Sequence, residues 1–305
     1  MNFTAKDVQM LRERTGVGMM DCKKALTETD GDMEKAIDVL REKGLAAAAK
    51  KSGRIAAEGL VYANVENGVG VVIEVNSETD FVAKNEDFQN FVKALAAIVA
   101  EKAPADVEAL KALPYDDKMT VEEALRDKIL VIGENMNSRR FARFEGNCVS
   151  YVHGGGRIGV LVRFEADAAA AGSAEMEECG KDVAMQIAAL NALYLDQTTV
   201  PAEDLAKEKE IQIALIKNDE KNAKKPDAII EKMVEGKMRK FFENNCLLQQ
   251  AFVKDGEMNV AKYVESMAAK AGGAMKVAEY VRFEKGEGMQ KREDDFAAEV
   301  AAMAK

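Results

Sequence analysis

The chain has 305 residues, enough for two or three domains; 48% are apolar and 31% charged. A formal net charge of −10 and an isoelectric point near 5.0 argue against a face built for duplex phosphate, so no direct nucleic-acid partner is expected. Trp is absent and aromatics reach only 6%, which leaves aliphatic side chains and the 16 methionines to build the cores.

The stretch from Met1 to Asp7 has neither an apolar nor an Arg-rich leader pattern. No uncharged run approaches the roughly 20 residues of a membrane span, so a cytoplasmic protein without a membrane partner is expected. Thr4 to Asp7 fits a capping box, opening a helix that turns Val8 and Leu11 inward and ends at Gly16. A second helix carries Cys22, Ala25 and Leu26. A third places Met33, Ile37 and Leu40 at helical spacing and is expected to stop at Gly44. Residues 46–55 then read as a basic linker.

Beyond the linker the period changes. Leu60, Tyr62 and Val65 lead to Asn67-Gly68, a type I′ hairpin signal, and residues 69–75 return as an apolar strand. A loop is expected over 76–84, then an amphipathic helix over 85–101 with Phe88, Phe91, Leu95 and Ile98 in one stripe. Further helices are expected at 106–112 and 120–132, and a closing strand at 140–145. The pattern then repeats. An offset of 89 lays Tyr62 on Tyr151, Gly70 on Gly159 and Val71-Val72-Ile73 on Val160-Leu161-Val162. The helix recurs at an offset of 88, and Arg143-Phe144-Glu145 echoes Arg282-Phe283-Glu284 at 139. About 50 extra residues therefore sit in the second copy, and 201–244 reads as two antiparallel helices with one thin apolar seam. A terminal helix carrying Phe296, Val300 and Met303 is expected last.

The fold class is accordingly α+β: a three-helix domain (1–55), two core copies with antiparallel sheets (56–146 and 147–286), a coiled coil inserted in the second copy, and a C-terminal helical module (287–305).

Titratable chemistry is sparse. Cys22, Cys148, Cys179 and Cys246 lie far apart with no C-x-x-C pair, and His153 is the only histidine. No phosphate-binding loop occurs, and Gly154-Gly155-Gly156 precedes a strand, so it reads as a turn. No cofactor, metal site or enzymatic device is expected, and elimination points to binding of another macromolecule. The two copies differ most after their second strands. Copy one offers Glu78-Thr79-Asp80-Phe81-Val82-Ala83; copy two offers Asp167 followed by four alanines. Two readings stay open there: Phe81 folds onto the core while Asp80 caps local backbone, or the loop serves a partner.

The run from Leu11 through Thr15-Gly16-Val17-Gly18-Met19-Met20-Asp21-Cys22 to Leu26 closely resembles the signatures of bacterial elongation factor Ts. So do Glu78 to Ala83, His153-Gly154, Arg157 to Val160, Glu231 to Gly236 and Asp294 to Val300, in order along the whole chain. The resemblance implies a guanine-nucleotide exchange factor, not an enzyme, acting on elongation factor Tu in protein biosynthesis. It implies that Thr79, Asp80, Phe81 and Val82 form the loop that disturbs the Mg²⁺ and GDP held by the partner, with Phe81 as a wedge. It further implies partner contacts at Arg12, Met19, Met20, His153 and Val253, although Ala251 stands where the family usually has Pro. For Arg12, Met19 and Met20 a place in the three-helix core is the alternative; for His153, a plain hairpin polar residue. A scaffold or chaperone would share the apolar surface without needing the Asp-Phe loop, and an RNA-binding translation factor would explain Lys50-Lys51-Ser52-Gly53-Arg54.

Overall fold

The computed structural model describes residues 2–290 except 220, 223 and 224. The expected terminal helix around Phe296 lies outside them. Thr4 and Asp7 cap α1 (Ala5–Thr15) reciprocally, and Gly16 ends it in a left-handed conformation. With α2 (Met19–Glu28) and α3 (Met33–Lys51) it encloses a small core of Val8, Leu11, Val17, Cys22, Ala25, Leu26, Ala36 and Leu40. The third helix does not stop at Gly44. It continues to Lys51, because Gly44 is buried where α3 crosses α7 (Val121–Ile132), facing Leu130 and Arg126. This glycine marks a helix crossing rather than an end, so most of the expected basic linker is helix.

Copy one begins with β1 (Glu58–Glu66) and β2 (Val69–Ser77), joined at Asn67 and Gly68, both with positive φ, as the type I′ turn requires. The expected loop over 76–84 is shorter than the sequence indicates. Asn76 and Ser77 still pair within the strand, and residues 80–83 form the short helix α4 (Asp80–Ala83). Then follow α5 (Glu86–Lys102), α6 (Val107–Ala112), α7 and β3 (Asn137–Glu145), which pairs with β2. Copy two repeats the plan with β4 (Asn147–His153), β5 (Ile158–Ala166), α8 (Ala174–Leu190) and β8 (Met275–Glu284). Between α8 and β8 lie α9 (Ala202–Asn218), α10 (Asp227–Asn245), the small hairpin β6 (Ala251–Phe252) and β7 (Asp255–Asn259), and α11 (Val260–Ala271). α9 and α10 pack on each other through their own cluster of Ile216, Ile230, Val234 and Met238.

The two sheets, β1-β2-β3 and β4-β5-β8, share one strand order, but their first strands are shifted: Tyr62 lies opposite Ile73, whereas Tyr151 lies opposite Val160, the counterpart of Val71, so Tyr62 and Tyr151 do not occupy matching places as the 89-residue offset predicts. β2 and β5 are offset by 89 along their whole length, and each carries a register break at the same place, Glu74/Val75 and Arg163/Phe164. The sheets press together through Val61, Ala63, Val72, Cys148, Leu161 and Phe283. Their outer faces are covered separately, by α5 and α7 on one side and by α8 and α11 on the other.

Gly70 and Gly159 sit at matching positions on the two inner faces. A Cβ on Gly70 would lie 2.5 Å from Leu161 Cδ1, and one on Gly159 2.5 Å from Val61 Cγ1. Gly70→Ala and Gly159→Ala should therefore each lower stability by about 1–3 kcal/mol through overpacking, measured by urea unfolding. Gly44→Ala should do the reverse, gaining up to about 1 kcal/mol from helix propensity, since its nearest neighbour would be 3.7 Å away.

Candidate functional site

The turn between β2 and α5 is where the two copies part. Thr79 is the N-cap of α4, its hydroxyl accepting from the Val82 amide. Val82 points inward and joins the core of copy one, with 8% exposure. Phe81, its neighbour, points outward and is 79% exposed, more than any other large apolar side chain among the described residues. The reading in which the ring folds back onto the core is thereby excluded. Asp80 is held chiefly by a side chain rather than by backbone. Lys84 donates to its carboxylate at 2.6 Å and holds it below the usual carboxylate range, with Lys285 adding to the positive field. The same ammonium lies 5.9 Å from the Phe81 ring centroid.

The turn is held from beneath by the segment that follows α7. Gly133 ends that helix at φ +89, which reverses the chain and sends Glu134 back towards β2. One Glu134 oxygen accepts from the amides of Glu78 (3.1 Å) and Thr79 (3.0 Å); the other accepts from the Thr79 hydroxyl at 2.6 Å. In return Glu78 accepts from the Asn135 amide at 2.6 Å and from the Arg54 guanidinium at 3.3 Å. Asn135 donates its side-chain amide to the Arg54 carbonyl. None of these partners was visible in the sequence, where residues 133–135 simply follow the helix expected at 120–132 and Arg54 reads as part of a basic linker. Lys51 is also engaged, its ammonium donating to the Ile129 carbonyl. Two of the three cations that favoured an RNA-binding reading thus serve internal contacts.

The other proposed contact residues are surface residues at separate places. Met19 and Met20 are 45% and 62% exposed at the start of α2, and neither belongs to the three-helix core; Arg12 is exposed on α1. His153 ends β4, exposed, with its Nδ1 3.1 Å from the Tyr151 hydroxyl. Its turn is fixed against copy one because the Gly156 carbonyl accepts from the Val61 amide. Val253 is exposed at the tip of the β6–β7 hairpin. Its amide donates to the buried Gln186 side chain, which also donates to the Ala251 carbonyl. Ala251 is an ordinary strand residue paired with Asn259. The four cysteines are all buried, and burial raises the Cys179 thiol to about 12, far from a thiolate at neutral pH.

A family model described as Elongation factor TS matches residues 78–287, from the Glu78 latch to Glu287. The chain belongs to the elongation factor Ts family. Relatives of that name from Clostridium botulinum (strain Eklund 17B / Type B) and Clostridium perfringens (strain 13 / Type A) are both 52% identical, over 98% and 99% of each chain respectively. One from Syntrophotalea carbinolica is 48% identical over the full length of both. The family's β2–α5 turn thus falls within the matched region, together with the clamp beneath it. No helix among the described residues is long and apolar enough to cross a membrane.

Because its ring is outside the core, Phe81→Ala should shift unfolding free energy by no more than about 0.5 kcal/mol. Phe88→Ala, seven residues on and fully buried, should cost about 3–5 kcal/mol in the same urea titration.

Proposed function

We propose that this protein accelerates loss of GDP from elongation factor Tu, using the Thr79–Val82 turn as the element that disturbs the partner's nucleotide site. The family is one of nucleotide exchange factors in translation elongation. The single observation that carries the finer reading is a phenyl ring held out of the core by a turn that is itself fastened down. A GTPase holds GDP through a phosphate cradle and a Mg²⁺ ion that demands near-ideal octahedral coordination, so small displacements of the surrounding loops loosen both. Phe81 supplies apolar area for a pocket in the partner's nucleotide domain; Asp80 supplies a carboxylate beside it that competes for the contacts ordering the ion's water shell. No bond is made or broken. The protein is a binding catalyst that needs no cofactor or metal of its own, working in the cytoplasm without contact to nucleic acid.

Linkage closes the cycle. A factor that weakens GDP binding by some ratio is itself weakened by GDP in the same ratio, about 1.4 kcal/mol for each tenfold. Arg12, Met19 and Met20 provide a second, adaptable apolar contact, and His153 and Val253 a third on the other copy. We place module boundaries at 1–55, 56–146, 147–286 and 287–305, with 201–244 as a coiled-coil arm in the third.

Release of fluorescent GDP from elongation factor Tu tests the proposal. Catalytic amounts of the protein should accelerate it. Phe81→Ala should slow stimulated release tenfold or more, and Asp80→Ala less, with the two coupled because they act on one displaced element. Unchanged stimulation by Phe81→Ala would remove the wedge role. The arm has its own test: replacing residues 202–244 by a short flexible linker should leave a single cooperative melt, since the α9–α10 cluster is separate from the sheet cores.

A further inference from the structure

The duplicated fold contains its own control for the β2–α5 turn. Glu78 corresponds to Asp167 at the offset of the second strands, and Asn135 to Ala274 at the offset of the last strands. Both copies make the same latch there. The Asn135 amide donates to Glu78 at 2.6 Å, and the Ala274 amide donates to Asp167 at 2.8 Å. The latch is thus a property of the scaffold. What precedes it differs. Copy one has Glu134 where copy two has Gly273, and a Cβ on Gly273 would collide with the Asp167 carboxylate and the Ala170 amide.

The same difference appears in the turns themselves. In copy two the Asp167 carboxylate folds back and accepts from the Ala169 and Ala170 amides, at 3.1 and 3.0 Å. Ala170 is fully buried there, as Val82 is in copy one; the amide of each donates to the side-chain oxygen three residues before it. In copy one the acceptor for the turn's amides comes instead from outside the turn. Glu134 takes the Glu78 and Thr79 amides, which leaves Glu78 free to reach Asn135 and Arg54. The Glu134 carboxylate also accepts from the Thr79 hydroxyl, so that a lone pair of the same hydroxyl oxygen faces the Val82 amide and starts α4. A carboxylate reaching in from 55 residues away thus holds, in copy one, the turn that buries Val82 and exposes Phe81.

We propose that Glu134 is a positioning residue of the exchange site, setting the outward conformation of the Thr79–Val82 turn through three accepted hydrogen bonds. It acts through the turn and touches neither nucleotide nor ion. The proposal rests on the reading of that turn as the exchange element, and deepens it. Charge-assisted acceptance matters here because a carboxylate offers only acceptors to three converging donors, whereas an amide presents a donor to at least one of them.

The test uses the full chain with Glu134→Gln and Glu134→Ala, and Phe81→Ala as reference. Two measurements are needed: hydrogen–deuterium exchange of the segment 78–84 in the free protein, and release of fluorescent GDP from elongation factor Tu at saturating factor. In Glu134→Gln, protection of that segment should fall at least tenfold while protection of α5 and β2 stays unchanged. Maximal release should fall tenfold or more, and the Glu134→Gln/Phe81→Ala double variant should be no slower than Phe81→Ala alone. A general loss of structure would instead lower protection of α5 and β2 and slow the double variant further, which overturns a positioning role. Unchanged protection of 78–84 in both Glu134 variants overturns it as well, as does normal release by Glu134→Gln when Phe81→Ala is slow. If Phe81→Ala itself releases GDP normally, the exchange reading of the turn fails. The exchange-protection result then still decides whether Glu134 sets the turn.

Discussion

The close approach of two duplicated sheets is the constraint from which the rest of this molecule follows. Gly70 and Gly159 permit it, each leaving room for side chains of the opposite copy. With their inner faces in contact, β2 and β5 are buried on both sides, which explains why both read as almost unbroken apolar runs rather than alternating ones. The outer faces must then be covered, and the helices that follow each second strand do so. Glu74 is the one charged residue of β2, fully buried at the edge of the sheet contact. Burial pushes its carboxyl up, but the Gly286 amide, Asn76 and Arg140 together outweigh that and hold it below its ordinary value. Arg139 completes the cage at 3.0 Å. A buried carboxylate so enclosed joins β2, β3 and the exit of β8 at one point, and removing a single partner would leave an uncompensated charge.

Duplication gave this protein two related turns, and in the proposed exchange reading only one of them meets the partner. The strands, their register breaks, the left-handed caps at Ala103 and Asn191, and the latch to the last strand are common to both copies. Shared features belong to folding. The departures concentrate at one turn: an extra residue between strand and helix, the exposed Phe81 where copy two carries only alanines, and Glu134 in place of a glycine. Function sits in the site and not in the scaffold that carries it.

Much of the scaffold was legible because its signals are local. The Thr4 capping box, the Asn67-Gly68 turn and the stripe of α5 each depend on residues within one or two turns of chain. The repeat was legible from three short echoes. Gly44 was misread because a glycine at the end of an apolar stripe signals either a stop or a crossing, and the crossing helix lies some 80 residues away. The helix α11 is legible by the same rule, since Val260, Tyr263, Val264 and Met267 follow helical spacing. At the candidate site, the outward residues Asp80 and Phe81 could be picked out by comparing the copies. The inward role of Val82 and the clamp by Glu134 could not, since a single carboxylate after a helix stop carries no mark of a contact 55 residues back.

Why such a turn should be fastened follows from what an exposed ring can deliver. Fully burying a phenylalanine side chain is worth about 1.5–3 kcal/mol, and in the free protein that energy is not used by the fold. It becomes available only when a partner covers the ring. A mobile turn would lose much of it again, because ordering each backbone residue costs roughly 1–2 kcal/mol and each immobilised side chain about 0.5–1.5. Four residues held in advance by Glu134, the Thr79 cap and the buried Val82 avoid that loss. The ordering cost is met once, during folding, by carboxylate–amide bonds and core packing. In the proposed exchange reaction the burial energy of Phe81 is then free to oppose the partner's hold on its nucleotide, and the two influences must be equal and reciprocal.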